Sequence, residues 1–115
     1  MAERQNLEIT RRSSKAYAVP FLKNNQPTDI TGWTVYMTIK TNMDDKDTDA
    51  KLRKKITEHL NAKGGIAIIE LTSEDTDIVA GNYYYSVDYK DADNNEDIVV
   101  NGLIRISEPT LKKRD

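Results

Sequence analysis

The stretch "AGNYYYSVDY", residues 80–89, places three consecutive tyrosines behind an Ala-Gly pair, with a fourth tyrosine four positions after the last of them. Successive side chains of a strand point to opposite faces. From Tyr83 onward, therefore, Tyr83, Tyr85, Val87 and Tyr89 share one face, while Tyr84, Ser86 and Asp88 share the other. The first set reads as the inner face. A tyrosine just behind such a turn, at the head of a late strand, is where sandwich folds place a tyrosine corner, its hydroxyl bonded back to nearby backbone. Tyr83 is the candidate, and Tyr85 packs beside it, since each ring buries on the order of 150–250 Å² and has a polar tip that needs a partner. Tyr84 faces outward. With Tyr36, it is a candidate contact surface.

The same alternation recurs on both sides of this stretch. WTVYMTIK puts Trp33, Val35, Met37 and Ile39 on one face and Thr34, Tyr36, Thr38 and Lys40 on the other. Leu7 with Ile9, and Tyr17 with Val19 and Phe21, give two shorter runs, the second interrupted by Pro20 as suits an edge strand. IAIIELT (66–72) is a β-branched buried strand, and IVVNGLIRI (98–106) is the returning partner of NYYYSVDYK. KLRKKITEHL fits both helical and strand spacing; a strand over 52–57 is the expectation. KNNQPTDITG (23–32) reads as a loop. TSED (72–75) has capping-box form and predicts one short helical turn over 73–79, ended by Ala80-Gly81. Regularly spaced short strands, hairpins and the lack of a long amphipathic helix predict an all-β antiparallel sandwich. The domain is expected over 7–107, between a flexible N-terminus (1–6) and a charged tail (108–115).

A chain of 115 residues with formal charge −2 and no cysteine has enough length for one core, but no disulfide frame, thiolate nucleophile or Cys-type zinc site. The opening MAERQNLEIT lacks the apolar core of a signal peptide, and no run approaches the ~20 apolar residues of a membrane helix. Synthesis in the cytoplasm, with no membrane or nucleic-acid partner, is expected from this and from the acidic balance.

Candidate chemistry is sparse. Asp45, Asp47 and Asp49, and again Asp91, Asp93 and Asn95, repeat at every second residue like the early ligands of an EF-hand loop. The glycine of the sixth position is Ala50 or Glu96, and the glutamate of the twelfth is Ile56 or Gly102. Solvated acidic loops are expected instead, without metal or other cofactor. The cluster Lys51, Arg53, Lys54 and Lys55 has no interleaved aromatic residue and reads as a solvated strand face. His59, the single histidine, has no nucleophile elbow or HExxH pair around it. The expectation is a protein that is not an enzyme and takes no small-molecule ligand.

PTDITGWTVYMTIK, then GGIAIIELTSEDTDIVAGNYYYSVDY and NGLIRI, spread over roughly residues 7 to 106, are together similar to a known family. The chain resembles the N-terminal domain of the phage baseplate upper protein and its stand-alone relatives in tailed phages and prophages. The matching positions are Ile30 to Trp33, Leu71 with Thr72, Asp75 with Thr76, and Gly81 with Tyr83. The resemblance implies an immunoglobulin-like sandwich that builds a virion tail or baseplate, with other tail proteins as partners, often in a symmetric oligomer, and virion location once incorporated. It lacks the receptor-binding region of the longer relatives, so it is not expected to recognise the host itself. The alternative is a carbohydrate-binding or adhesion module that uses Tyr36 and Tyr84.

Overall fold

The computed structural model describes residues 3–42, 44, 50–59 and 61–109 of the chain. Ten strands and no helix occur among them: β1 (Glu3–Arg4), β2 (Leu7–Thr10), β3 (Lys15–Pro20), β4 (Leu22–Lys23), β5 (Gln26–Pro27), β6 (Thr34–Lys40), β7 (Leu52–Ile56), β8 (Ile66–Leu71), β9 (Gly81–Lys90) and β10 (Glu96–Ser107). The larger sheet runs β1-β10-β9-β6-β7, and β2 continues along β10 on the same side as β1. A two-stranded sheet, β3-β8, covers its inner face, and β4-β5 is a separate small hairpin.

β3 and β8 take the places of the B and E strands of an immunoglobulin sandwich, and β10, β9, β6 and β7 those of G, F, C and C′. The fold is an all-β, immunoglobulin-like sandwich. Its core follows from the alternation: Val35, Met37 and Ile39 of β6, Tyr83, Tyr85 and Val87 of β9, and Ile104 and Ile106 of β10 meet Val19 of β3 and Ala67, Ile69 and Leu71 of β8. Residues 52–56 are indeed a strand, paired antiparallel to β6.

Several expectations are corrected. Glu3–Arg4 do not form part of a free end: they pair parallel with Val100 and Asn101, and the Gln5 N–H donates to the Asn101 carbonyl at 2.9 Å. This pairing joins residues about a hundred positions apart in the chain and has no local signature. The segment 23–32 is not entirely loop, because Asn24 and Asn25 both take positive φ (52° and 63°) and close a two-residue hairpin between β4 and β5. The helical turn is shorter than 73–79. Turns close from the Thr76 N–H to the Thr72 carbonyl and from the Asp77 N–H to the Glu74 carbonyl, and no helix follows, since Ile78 is drawn into the core instead. Residues 110–115 of the tail and most of the acidic loop, 43 and 45–49, lie outside the described residues.

Candidate functional site

The residues that carry the family-like pattern build the frame. The Thr72 N–H donates to Asp75 Oδ2 (2.9 Å) and the Asp75 N–H donates back to Thr72 Oγ1 (3.1 Å), a reciprocal box that fixes the turn after β8. Lys54 lies on the inner side of β7 opposite Met37, and its ammonium reaches Asp75 Oδ2 at 2.8 Å, tying the edge of the large sheet to that turn. Partial burial pulls the Asp75 carboxyl upward, but the Lys54 ammonium and the Thr72 amide outweigh it and hold its pKa below the ordinary carboxylate value. The basic cluster is thus split: Lys54 points inward, whereas Arg53 and Lys55 stand outward beside Thr38 and Tyr36.

Thr76 is buried, and its hydroxyl donates to the Ser13 carbonyl at 2.7 Å, joining the same turn to the β2–β3 connection. Leu71 is buried at the end of β8. Behind Gly81, the Tyr83 hydroxyl donates to the Val79 carbonyl, the bond of a tyrosine corner, and the Tyr85 hydroxyl donates to the Gln5 carbonyl of the N-terminal segment. At the opposite end Trp33 stacks on Tyr89 with centroids 4.7 Å apart, and Phe21 meets both rings edge-on. These side chains are spent on packing. Tyr83 and Tyr85 are buried, while Trp33 is partly buried and lines a surface pocket with Phe21 and Tyr89.

Two polar candidates are held by backbone groups, although His59 Nδ1 is buried without a hydrogen-bond partner among the described residues. His59 Nε2 lies 2.8 Å from the Trp33 carbonyl and donates to it, so this nitrogen is not available as a general base. The Asp91 carboxylate accepts from the N–H groups of Asp93 and Asn95, both at 2.9 Å, and so closes the β9–β10 hairpin from within. The Asn95 amide holds its carboxyl below the ordinary value, against a smaller opposing effect of burial. Among the described residues no three His, Cys, Asp or Glu side chains are grouped so as to hold a metal ion.

The outer face of the large sheet presents Tyr36, Thr38 and Lys40 of β6, Arg53 and Lys55 of β7, and Tyr84, Ser86 and Asp88 of β9, as the registers require. Tyr36 and Tyr84 therefore share one face. Tyr36 is paired with Asp88 and Tyr84 with Lys40, four residues further along, which separates the two tyrosines by about 14 Å at standard strand spacings. Tyr84 stands directly opposite Leu103 of β10, and both side chains are more than a third exposed.

The small sheet is uncovered in a different way. Its outward positions are Ala16, Ala18 and Pro20 of β3 and Ile66, Ile68 and Glu70 of β8, an apolar strip with Leu22, 60 % exposed, just beyond its end. Among the described residues neither β3 nor β8 has a second strand neighbour, so each has one open edge. Between the open edge of β3 and the N-terminal strand lies a cleft of about 150 Å³ lined by Leu7, Tyr17, Val19, Tyr85 and Val100. Burial there pushes the Tyr17 phenol up. Sequence reading does not find this cleft, because it depends on the docking of residues 3–6 and on the narrowness of the small sheet. The only advance signal is Pro20, which suits an edge.

No protein-family model matches the chain, and no curated protein matches it. Among solved structures, a structure of murine CRIg is similar at 10 % identity, covering 91 % of this chain and 92 % of that one, with a TM-score of 0.38.

Proposed function

We propose that this protein is a non-enzymatic assembly module of a phage or prophage tail or baseplate, working through protein–protein contacts. The observation that carries the contact role is the small sheet: a strip of Ala16, Ala18, Pro20, Ile66 and Ile68 facing outward between two open strand edges. Water penalises such a strip, and unpaired edge groups accept a further strand, so a neighbouring protein that covers both is the natural complement. The phage context rests on the resemblance described above, whose positions Trp33, Thr72, Asp75, Thr76, Gly81 and Tyr83 all serve the frame rather than a catalytic centre. Purified tail particles from a host carrying the gene test this reading. The chain should be found in them by mass spectrometry at a fixed stoichiometry, and co-expression with the products of adjacent reading frames should yield a stable complex by size exclusion. A chain that is absent from particles and monomeric beside every neighbour product would overturn it.

A second reading is favoured by one observation, the placement of Tyr36 and Tyr84 on a single sheet face. A carbohydrate-binding module would use both rings as stacking platforms. Binding on a glycan array that is lost in both Tyr36→Ala and Tyr84→Ala would support it, and an array without signal would remove it.

A further inference from the structure

The outer face of the six-stranded sheet has a charge of its own. Its outward positions in the strand registers carry six basic side chains, Arg4, Lys40, Arg53, Lys55, Lys90 and Arg105, against three acidic ones, Glu8, Asp88 and Glu96. Among the described residues these strand positions therefore hold a surplus of three positive charges, on a chain whose formal net charge is −2. Cross-strand register sets Lys90 opposite Glu96 and Arg105 opposite Glu8. With these pairs set aside, Arg4, Arg53 and Lys55 remain around the carboxylate of Asp88.

An apolar centre accompanies the charge. Tyr84 and Leu103 form a directly opposed pair, 38 % and 37 % exposed, and Ile98 stands outward beside Asp88 at 42 %. Exposed tyrosine and arginine side chains next to an apolar pair have the composition of an interface centre with a charged rim. A sheet face with two tyrosines about 14 Å apart does not match the stacking of successive bases, and the carboxylate of Asp88 amid the face repels a phosphate backbone. Both features favour protein over nucleic acid.

We propose that this face docks an acidic surface of a partner protein, with Arg53 and Lys55 as the principal charge contacts and Tyr84 and Leu103 as the apolar anchor. The proposal rests on the assembly reading above and adds a second surface to the small-sheet strip, together with the chemistry of the partner it takes. Opposite charge raises the encounter rate and fixes orientation, and the apolar pair then slows dissociation.

The test titrates the intact protein with poly-L-glutamate of about 20 residues and, separately, with an oligo-dT of about 20 nucleotides, following backbone amide shifts by NMR. Poly-glutamate should move amides of β6, β7 and β9 in preference to those of β3 and β8, with an affinity that falls at least about tenfold between about 50 and 300 mM salt. The double variant Arg53→Glu, Lys55→Glu should weaken binding by more than about tenfold. The control variant Lys15→Glu, on β3 of the small sheet, should weaken it less than about twofold. Both variants should keep a thermal midpoint within about 3 °C of the parent, since exposed substitutions change stability little. Equal losses in the two variants, tighter binding of oligo-dT than of poly-glutamate, or no shifts on the large sheet overturn the proposal. Incorporation into tail particles separates this from the parent reading. If the parent chain enters particles and the Arg53→Glu, Lys55→Glu variant enters equally well, the docking surface is wrong and the assembly role stands; if neither enters, the assembly role itself fails.

Discussion

At Tyr83 a phenol hydroxyl reaches back four residues to the Val79 carbonyl, while its ring is buried under the turn that leads into β9. Tyr83→Phe keeps the ring and deletes the bond. The expected cost is about 1 kcal/mol, seen as a thermal midpoint lower by roughly 4 °C. Asp75 offers a pH-dependent counterpart. Its folded pKa lies below the ordinary value, so its contribution is complete above the unfolded carboxylate pKa of about 3.9 and is lost as the pH falls through the folded one. Because the Asp75 and Lys54 side chains are 20 % and 30 % exposed, solvent screens the pair and its share is held to about 1 kcal/mol or less. Urea unfolding at pH 7 and pH 3 should therefore show a smaller acid loss in Asp75→Asn than in the parent. The box between Thr72 and Asp75 and the corner at Tyr83 were both legible in the sequence, because each is a contact among residues three or four positions apart. Lys54 was not. In LRKKI, basic residues occupy both faces of the strand, and only the position of the distant turn shows which of them is drawn inward.

Among the strands, legibility followed the difference between faces. β6 and β9 alternate apolar and polar residues, so period and register are read together. Near its start β10 carries Ile98-Val99-Val100, uniformly apolar, and there the sequence gives no sign of the bulge that shifts the register between Ile98 and Val100. That bulge places Ile98 outward and Val100 inward, and so shapes both the outer face and the cleft. β2 was legible from Leu7 and Ile9, whereas β1 was not, being short and held by a strand from the far end of the chain. Two glycines test that attachment. Gly81 and Gly102 share the same φ, 158°, but a Cβ at Gly81 would find its nearest neighbour at 3.8 Å, whereas one at Gly102 would sit 2.2 Å from the Gln5 carbonyl oxygen. Gly102→Ala should therefore cost about 2 kcal/mol or more beyond Gly81→Ala, since it breaks the Gln5 bonds to Asn101 and Tyr85. Native-state hydrogen exchange should show β1 and β2 losing protection while β6 and β8 keep theirs. Uniform loss in every strand would show that the N-terminal strand is not a separable unit.

Across the whole molecule the two layers are joined by different means at the two ends. At one end the ties are polar: Thr76 to Ser13, Lys54 to Asp75, and Arg11 at 2.8 Å from both Asp77 and Glu108. At the other they are aromatic, Phe21 with Trp33 and Tyr89. The middle leaves a wide sheet beneath a narrow one, which is why the molecule has both an apolar strip with open edges and a basic face. The parallel alignment of β1 and β2 with β10 has a mechanical side. Glu3 is paired with Val100 and Thr10 with Ser107, so Glu3 and Ser107 stand at opposite ends of one seam. Tension applied between Glu3 and Ser107 runs along that seam and loads its hydrogen bonds together in shear. Tension between Thr10 and Ser107, partners at the same end, peels them apart in turn. Optical-tweezer traces should show a single high-force rupture for the first attachment and a lower, graded opening for the second. A chain with this alignment can carry a pull along its length without first giving up its core.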